Sequence, residues 1–167
     1  QASTQIVGSR MLMLMALTGA RLGEARALQW RHLDLTAGTW FLPTQKSGRP
    51  GVIHLSEPAR ATIRELEPCR RNDYVFPGER GNEQLGRPIR LFKKLCQQAG
   101  IPEGYRIHDL RHAWCSAGVY AGIPLEVISQ GARHSSPVVT RIYSHAHAES
   151  LVAAQATIGA LFMPVQP

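Results

Sequence analysis

A chain of 167 residues is long enough for one ordinary domain with its own core, so no disulfide or metal staple is required. Its 44% hydrophobic and 19% charged residues exclude disordered and collagen-like classes. No apolar run nears the roughly 20 residues of a membrane span, and three scattered cysteines, Cys69, Cys96 and Cys115, fit a reducing cytosol better than a disulfide framework. Lys and Arg number 19 against 12 Asp and Glu, a net charge of +7, and only three of the basic residues are lysines. Arginine grips phosphate through a planar fork, so nucleic acid is the expected polyanion, although an arginine-rich genome would produce the same excess.

In chain order, residues 5–18 read as a helix whose apolar positions include Ile6, Met13 and Leu17. Gly19 breaks it, and a helical pattern resumes over 21–30 through Leu22, Ala25 and Leu28. Residues 39–42 and 52–55 are strand candidates, and the turn-forming stretch between them predicts an antiparallel hairpin with Lys46 at its tip. Ser56 suits an N-cap for a helix over 58–66 that Pro58 opens. Residues 74–76 form a short apolar strand candidate, and 79–86 read as loop.

A helix over 88–99 is expected to bury Ile89, Phe92, Leu95 and Ala99 and to turn Arg87, Arg90, Lys93 and Lys94 outward. Such a basic face is usually only solvated, but it also suits phosphate. Further helices are expected over 108–120 and 124–130, then after Ser136 with Val138, Val139, Ile142 and Tyr143, and finally over 151–162, which holds no charge. The fold class is mainly α with a small antiparallel β-sheet.

Several polar clusters lie along this scheme. Arg21 and Glu24, at i and i+3, can meet on one helical face, as a local surface ion pair would. His108 and Arg111 share a face, and His112 completes an i, i+4 histidine pair. That spacing can bind zinc, yet no catalytic Glu stands between the histidines and an arginine does, so core packing or anion binding is the better reading. His134 precedes Tyr143 by nine positions, and Tyr143 shares a face with Val139, where a core tyrosine is the ordinary case.

Taken in order, residues 18–24 (Thr-Gly-Ala-Arg-Leu-Gly-Glu), residues 108–112 (His-Asp-Leu-Arg-His), and His134 followed by Tyr143 resemble the tyrosine recombinase (phage integrase) family. The resemblance spans nearly the whole chain. It implies the catalytic core of that family, with Tyr143 as the nucleophile that attacks a DNA phosphorus. Arg21 and Arg111 would clamp the non-bridging oxygens, His108 and His134 would hydrogen-bond the same phosphate, and Lys46 would be the general acid. Glu24 would support the active-site arginine. These roles suit the chemistry: fixed guanidiniums sit where negative charge grows, and a cation can protonate the leaving 5′-oxygen. A phenol with a pKa of about 10 needs a base or a cationic field to ionise. The phosphotyrosine link conserves the phosphodiester, so neither ATP nor any other cofactor is implied. The sequence carries no P-loop and no carboxylate cluster suited to two metals.

Ala132-Arg133 stands where the family usually has Leu-Gly, which leaves Arg133 either on a phosphate or in solvent. The expected organisation is a single C-terminal catalytic domain over 1–167 without the family's N-terminal core-binding domain. A tail over 151–167 would dock in cis or in the neighbouring protomer. The implied partner is double-stranded DNA, with a homotetramer on synapsed sites, a monomer as an isolated domain, no membrane, and a cytoplasmic, nucleoid-associated location. Two other readings remain: a type IB topoisomerase-like enzyme, and a non-catalytic basic DNA-binding module.

Overall fold

The structure, a computed structural model, describes residues 4–44, 50–80 and 82–133. Its first helix, α1 (Thr4–Thr18), buries Val7, Met11, Leu14, Met15 and Thr18, spaced at three and four residues, along with Leu12 and Gly8. With so much of its circumference apolar, α1 is the central helix, and α2, α3, α4 and α5 all rest on it. Gly8 permits the close approach of α4, because a Cβ there would lie 2.7 Å from Leu91 Cδ2. Gly19 ends α1 in the left-handed region (φ 62°), and its N–H donates to the Met15 carbonyl at 2.9 Å.

The helical pattern expected over 21–30 is shorter in the fold: α2 (Leu22–Arg26) is followed by a 3-10 turn at Trp30–His32. A three-stranded antiparallel sheet comes next, β1 (Leu33–Asp34), β2 (Thr39–Leu42) and β3 (Gly51–His54), in that spatial order. The hairpin is as expected, with Trp40 opposite Ile53 and Leu42 opposite Gly51. Trp40, Leu42 and Ile53 turn into the core, whereas Phe41 and Val52 face outward, as the two-residue period of a strand dictates. The β1 strand has no apolar alternation of its own. An Asp34 carboxylate oxygen instead accepts the backbone N–H groups of Thr36 and Ala37, which folds β1 back onto β2.

Helix α3 (Glu57–Arg64) has Ser56 at its N-cap position and buries Ala59, Thr62 and Ile63. The strand expected over 74–76 is not a strand. Tyr74 makes a single bridge to Gln29 and Pro77 one to Gln84, and Val75 and Phe76 are buried as core plugs in an irregular segment.

Helix α4 (Ile89–Gln98) lies rotated from its expected face. Phe92 is buried and Leu91 and Cys96 pack on the core, but Ile89, Leu95 and Ala99 are exposed. The contact of Leu91 with Gly8 sets that rotation. Helices α5 (Asp109–Tyr120) and α6 (Leu125–Ala132) share a smaller core of Cys115, Ile128 and Ala132, flanked by Trp114, Val119 and Leu125. The three cysteines are free thiols, and burial pushes the Cys115 thiol upward in pKa. No described helix is long and apolar enough to cross a membrane. Helices expected after Ser136 and over 151–162 lie outside the described residues.

Candidate active site

Four chain segments converge where α1 ends. Their junction is held by the Trp114 indole, which lies between two glycines. A Cβ on Gly19 would sit 3.0 Å from the ring and one on Gly131 would sit 2.8 Å from it. Only hydrogen fits at either position, so the end of α1 and the last turn of α6 both close onto α5.

That closure presents carbonyl groups to Arg111, which α5 projects inward and which is only 3% exposed. Its Nη1 donates to the Gly19 carbonyl at 2.6 Å and its Nη2 to the Ala132 carbonyl. Arg21 stands at the N-cap position of α2 with extended backbone, and its Nη2 donates to the next carbonyl, that of Arg133, at 2.9 Å. The last carbonyls of a helix have no partner within it and carry the negative end of its dipole. Two guanidiniums far apart in sequence therefore meet at successive carbonyls at the C-terminal end of α6, those of its last residue and its C-cap, and the carbonyls reduce their mutual repulsion.

Glu24 forms the other wall. Its side chain is 8% exposed, and both oxygens are used. Arg21 donates from Nη1 to Oε1 at 2.8 Å and from its backbone N–H to Oε2 at 2.8 Å. The carboxylate thus satisfies the free backbone N–H at the start of α2, the glutamate half of a capping box, while the arginine side chain, which has no acceptor, adds a charged bond of its own. Burial alone would raise the Glu24 pKa. The charge of Arg133 and the bonds from Arg21 outweigh it and hold the carboxyl below its ordinary value. Burial and the nearby charges of Arg21 and Arg133 bring Arg111 down to about 10, still cationic at neutral pH.

Arg133 does not face solvent. Its guanidinium turns inward, is 8% exposed, and donates from Nη2 to Glu24 Oε2 at 2.9 Å and from Nη1 to the Gly131 carbonyl at 2.7 Å. The pairing closes over more than 100 residues of chain, and no local pattern announces it. The carbonyl acceptors for Arg111 and the Trp114 ring were equally illegible, because their partners come from different segments.

His108 stands at the N-cap position of α5, exposed, with its ring 4.9 Å from that of His112 in an edge-to-face contact. Burial of part of the ring, then the positive surroundings of His112, Arg111 and Arg21, lower its pKa despite Asp109, so the neutral imidazole is favoured. Among the described residues, no three His, Cys, Asp or Glu side chains converge as a metal-binding group. Arg87, Arg90, Lys93 and Lys94 form a separate exposed basic face at α4. Arg87, Arg90 and Lys94 line a cleft of about 970 Å³ there, with Arg80 among its other walls. Lys46, His134 and Tyr143 lie outside the described residues.

What has been assembled is a carboxylate ringed by cations beside a neutral histidine. Two guanidiniums bond Glu24 and the charge of a third, Arg111, acts on it from its seat on the carbonyls, so the cluster keeps a net positive charge in a largely dry site, where an anion is favoured strongly.

A tyrosine recombinase XerC of Xanthomonas axonopodis pv. citri is 29% identical over 132 residues, covering 77% of this chain and 43% of the relative. One from Pseudomonas putida is 28% identical over 147 residues, covering 85% of this chain and 49% of the relative. The chain thus spans about half the length of such relatives. Among solved structures, the XerH site-specific recombinase bound to its difH substrate superposes with a TM-score of 0.77 at 20% identity, over 93% of this chain and 48% of that one. The catalytic domain of bacteriophage HP1 integrase superposes with a TM-score of 0.63 at 20% identity, over 94% of this chain and 84% of that one. At those identities the superpositions establish the fold, a mainly helical core with one small antiparallel sheet. The Phage integrase family profile matches residues 1–150, and this chain belongs to that family.

Proposed function

We propose that this chain is the catalytic part of a site-specific DNA recombinase that cuts and rejoins strands through a covalent 3′-phosphotyrosine. The reading rests above all on the convergence of Arg21 and Arg111 at the successive carbonyls of Ala132 and Arg133 that end α6, the two residues before His134 in the sequence. A guanidinium has five N–H donors, and the contacts seen use only part of them. Both arginines can therefore take the non-bridging oxygens of one phosphate, with His108 and His134 as further donors to it.

In this scheme the Tyr143 oxygen attacks phosphorus as its proton is lost to a base or driven off by the cationic field. The bond from phosphorus to the 5′-oxygen breaks, and Lys46 gives that oxygen a proton. A 5′-hydroxyl from another strand then attacks the phosphotyrosine in the reverse sense, which restores the phosphodiester and frees Tyr143. Growing negative charge on the phosphoryl oxygens is met by Arg21 and Arg111, which need no reorganisation. Glu24 acts on Arg21 rather than on DNA. The basic face with Arg87, Arg90, Lys93 and Lys94 supplies backbone contacts to the duplex. Residues 1–167 would act as the catalytic domain of a homotetramer on paired DNA sites, with the tail over 151–167 docking either on its own domain or on the neighbouring protomer.

The test is direct. A duplex from the DNA flanking the gene, nicked beside the cleavage point, should trap the protein as a denaturant-stable adduct in excess chelator. Tyr143→Phe should remove the adduct and leave folding and DNA affinity nearly unchanged. An adduct formed by Tyr143→Phe, or one that appears only with an added divalent ion, would overturn the scheme.

A further inference from the structure

Arg133 occupies a backbone position that suits glycine. With φ 54° and ψ 47° it is the only non-glycine residue among the described ones with positive φ. A glycine would take that conformation without steric cost, whereas an L side chain is strained there. The arginine nevertheless has its side chain folded into the protein, 8% exposed, with a buried Nε that has no partner among the described residues. A strained and incompletely satisfied residue persists where its surroundings over-determine it, and such residues cluster at functional sites.

The surroundings form a closed ring. The Arg133 guanidinium donates to Glu24 Oε2, the Arg21 guanidinium donates to Glu24 Oε1, and Arg21 Nη2 returns to the Arg133 carbonyl. Both ends of one residue thus hold Arg21. The left-handed backbone aims the carbonyl, because a right-handed residue there would continue α6 and turn its carbonyl along the helix axis. The side chain fixes the carboxylate on which Arg21 leans. It also returns the positive charge that Glu24 takes from the site.

We infer that Arg133 is a positioning residue of the active site, locking Arg21 in the orientation that receives the scissile phosphate by closing a ring of hydrogen bonds through Glu24. This deepens the recombinase reading and rests on it. Arg133 itself, turned toward Glu24, acts through Arg21.

The experiment uses the full chain and compares Arg133→Gly, Arg133→Lys and Arg133→Met. Glycine relieves the strain while deleting the guanidinium, so its effects on folding partly offset. The first measurement needs no DNA: solvent exchange of the Arg21 Nη–H groups, which close the ring, followed by NMR, should quicken by about tenfold or more in the Gly and Met variants, as expected when a closed network opens. The second is adduct formation on the nicked duplex. At saturating DNA the Gly and Met variants should react roughly ten- to hundredfold more slowly, the range for a misplaced catalytic group, with DNA affinity changed by less than about threefold. Lysine keeps a cation within reach of Glu24 and should recover most of the rate.

Unchanged Arg21 exchange together with wild-type rates in the Gly variant would overturn the inference. So would equal rates for Lys and Met, the decisive comparison if the Gly variant folds poorly. Absence of any adduct from the wild-type chain would instead overturn the recombinase reading, and the exchange measurement would still decide whether Arg133 orders Arg21.

Discussion

Glu24→Gln changes one atom and should unbalance the whole site. The carboxylate is 8% exposed and is bonded to the guanidiniums of Arg21 and Arg133. Removing one partner of a buried ion pair costs about 3–5 kcal/mol, because the other charge stays buried without compensation. Glutamine keeps one acceptor oxygen and Arg21 is a quarter exposed, so we place the cost at about 2–4 kcal/mol. For a domain of this size that corresponds to a fall in Tm of about 5–15 °C.

The pH dependence gives a sharper signature. Although burial opposes it, the folded protein lowers the Glu24 pKa through Arg133 and Arg21, so the ionised carboxylate stabilises the fold fully above the ordinary value of 4.5. That contribution is lost as pH falls through the lower folded value. The stability gap between wild type and Glu24→Gln should therefore be widest near neutrality and close below the ordinary carboxylate range. His108 titrates in both proteins and cancels in the difference. Urea unfolding at a series of pH values measures the gap. A gap under about 1 kcal/mol at pH 7, or one that stays constant into acid, would refute the assignment of Glu24 as the counter-charge of this cluster.

Gly19→Ala should destabilise the chain by about 2–4 kcal/mol, since it adds left-handed strain and a Cβ 3.0 Å from Trp114, and it should also shift the carbonyl that holds Arg111. Thermal unfolding together with adduct yield checks this, and a variant of wild-type stability would refute the tight seat of Trp114. Lys46→Ala should slow cleavage of ordinary DNA and be rescued by a substrate whose 5′ leaving atom is sulfur, which needs little protonation. Equal defects on both substrates would make Lys46 a binding residue only. On α4, the Arg90→Ala, Lys94→Ala double variant should weaken DNA binding in low salt and lower the slope of log affinity against log salt by about 0.9 for each phosphate no longer neutralised. An unchanged slope would leave that face merely solvated.

The local elements were legible because their signals are local. The Trp40 and Ile53 alternation, the turn between them, the Gly19 stop and the Pro58 start each act within a few residues. The ordered set of Arg21, His108 and Arg111 with His134 and Tyr143 pointed to the family, which the profile match over residues 1–150 bears out. Three features needed the fold. The rotation of α4 depends on Leu91 meeting Gly8, and the burial of Val75 and Phe76 without a strand depends on single bridges to Gln29 and Gln84. The inward turn of Arg133 depends on Glu24, which lies more than 100 residues earlier. Periodicity and capping report what a segment does with its own neighbours. Which charged group finds a partner, and which carbonyl a guanidinium reaches, is decided only when distant segments are packed to crystal-like density around Trp114 and the end of α6.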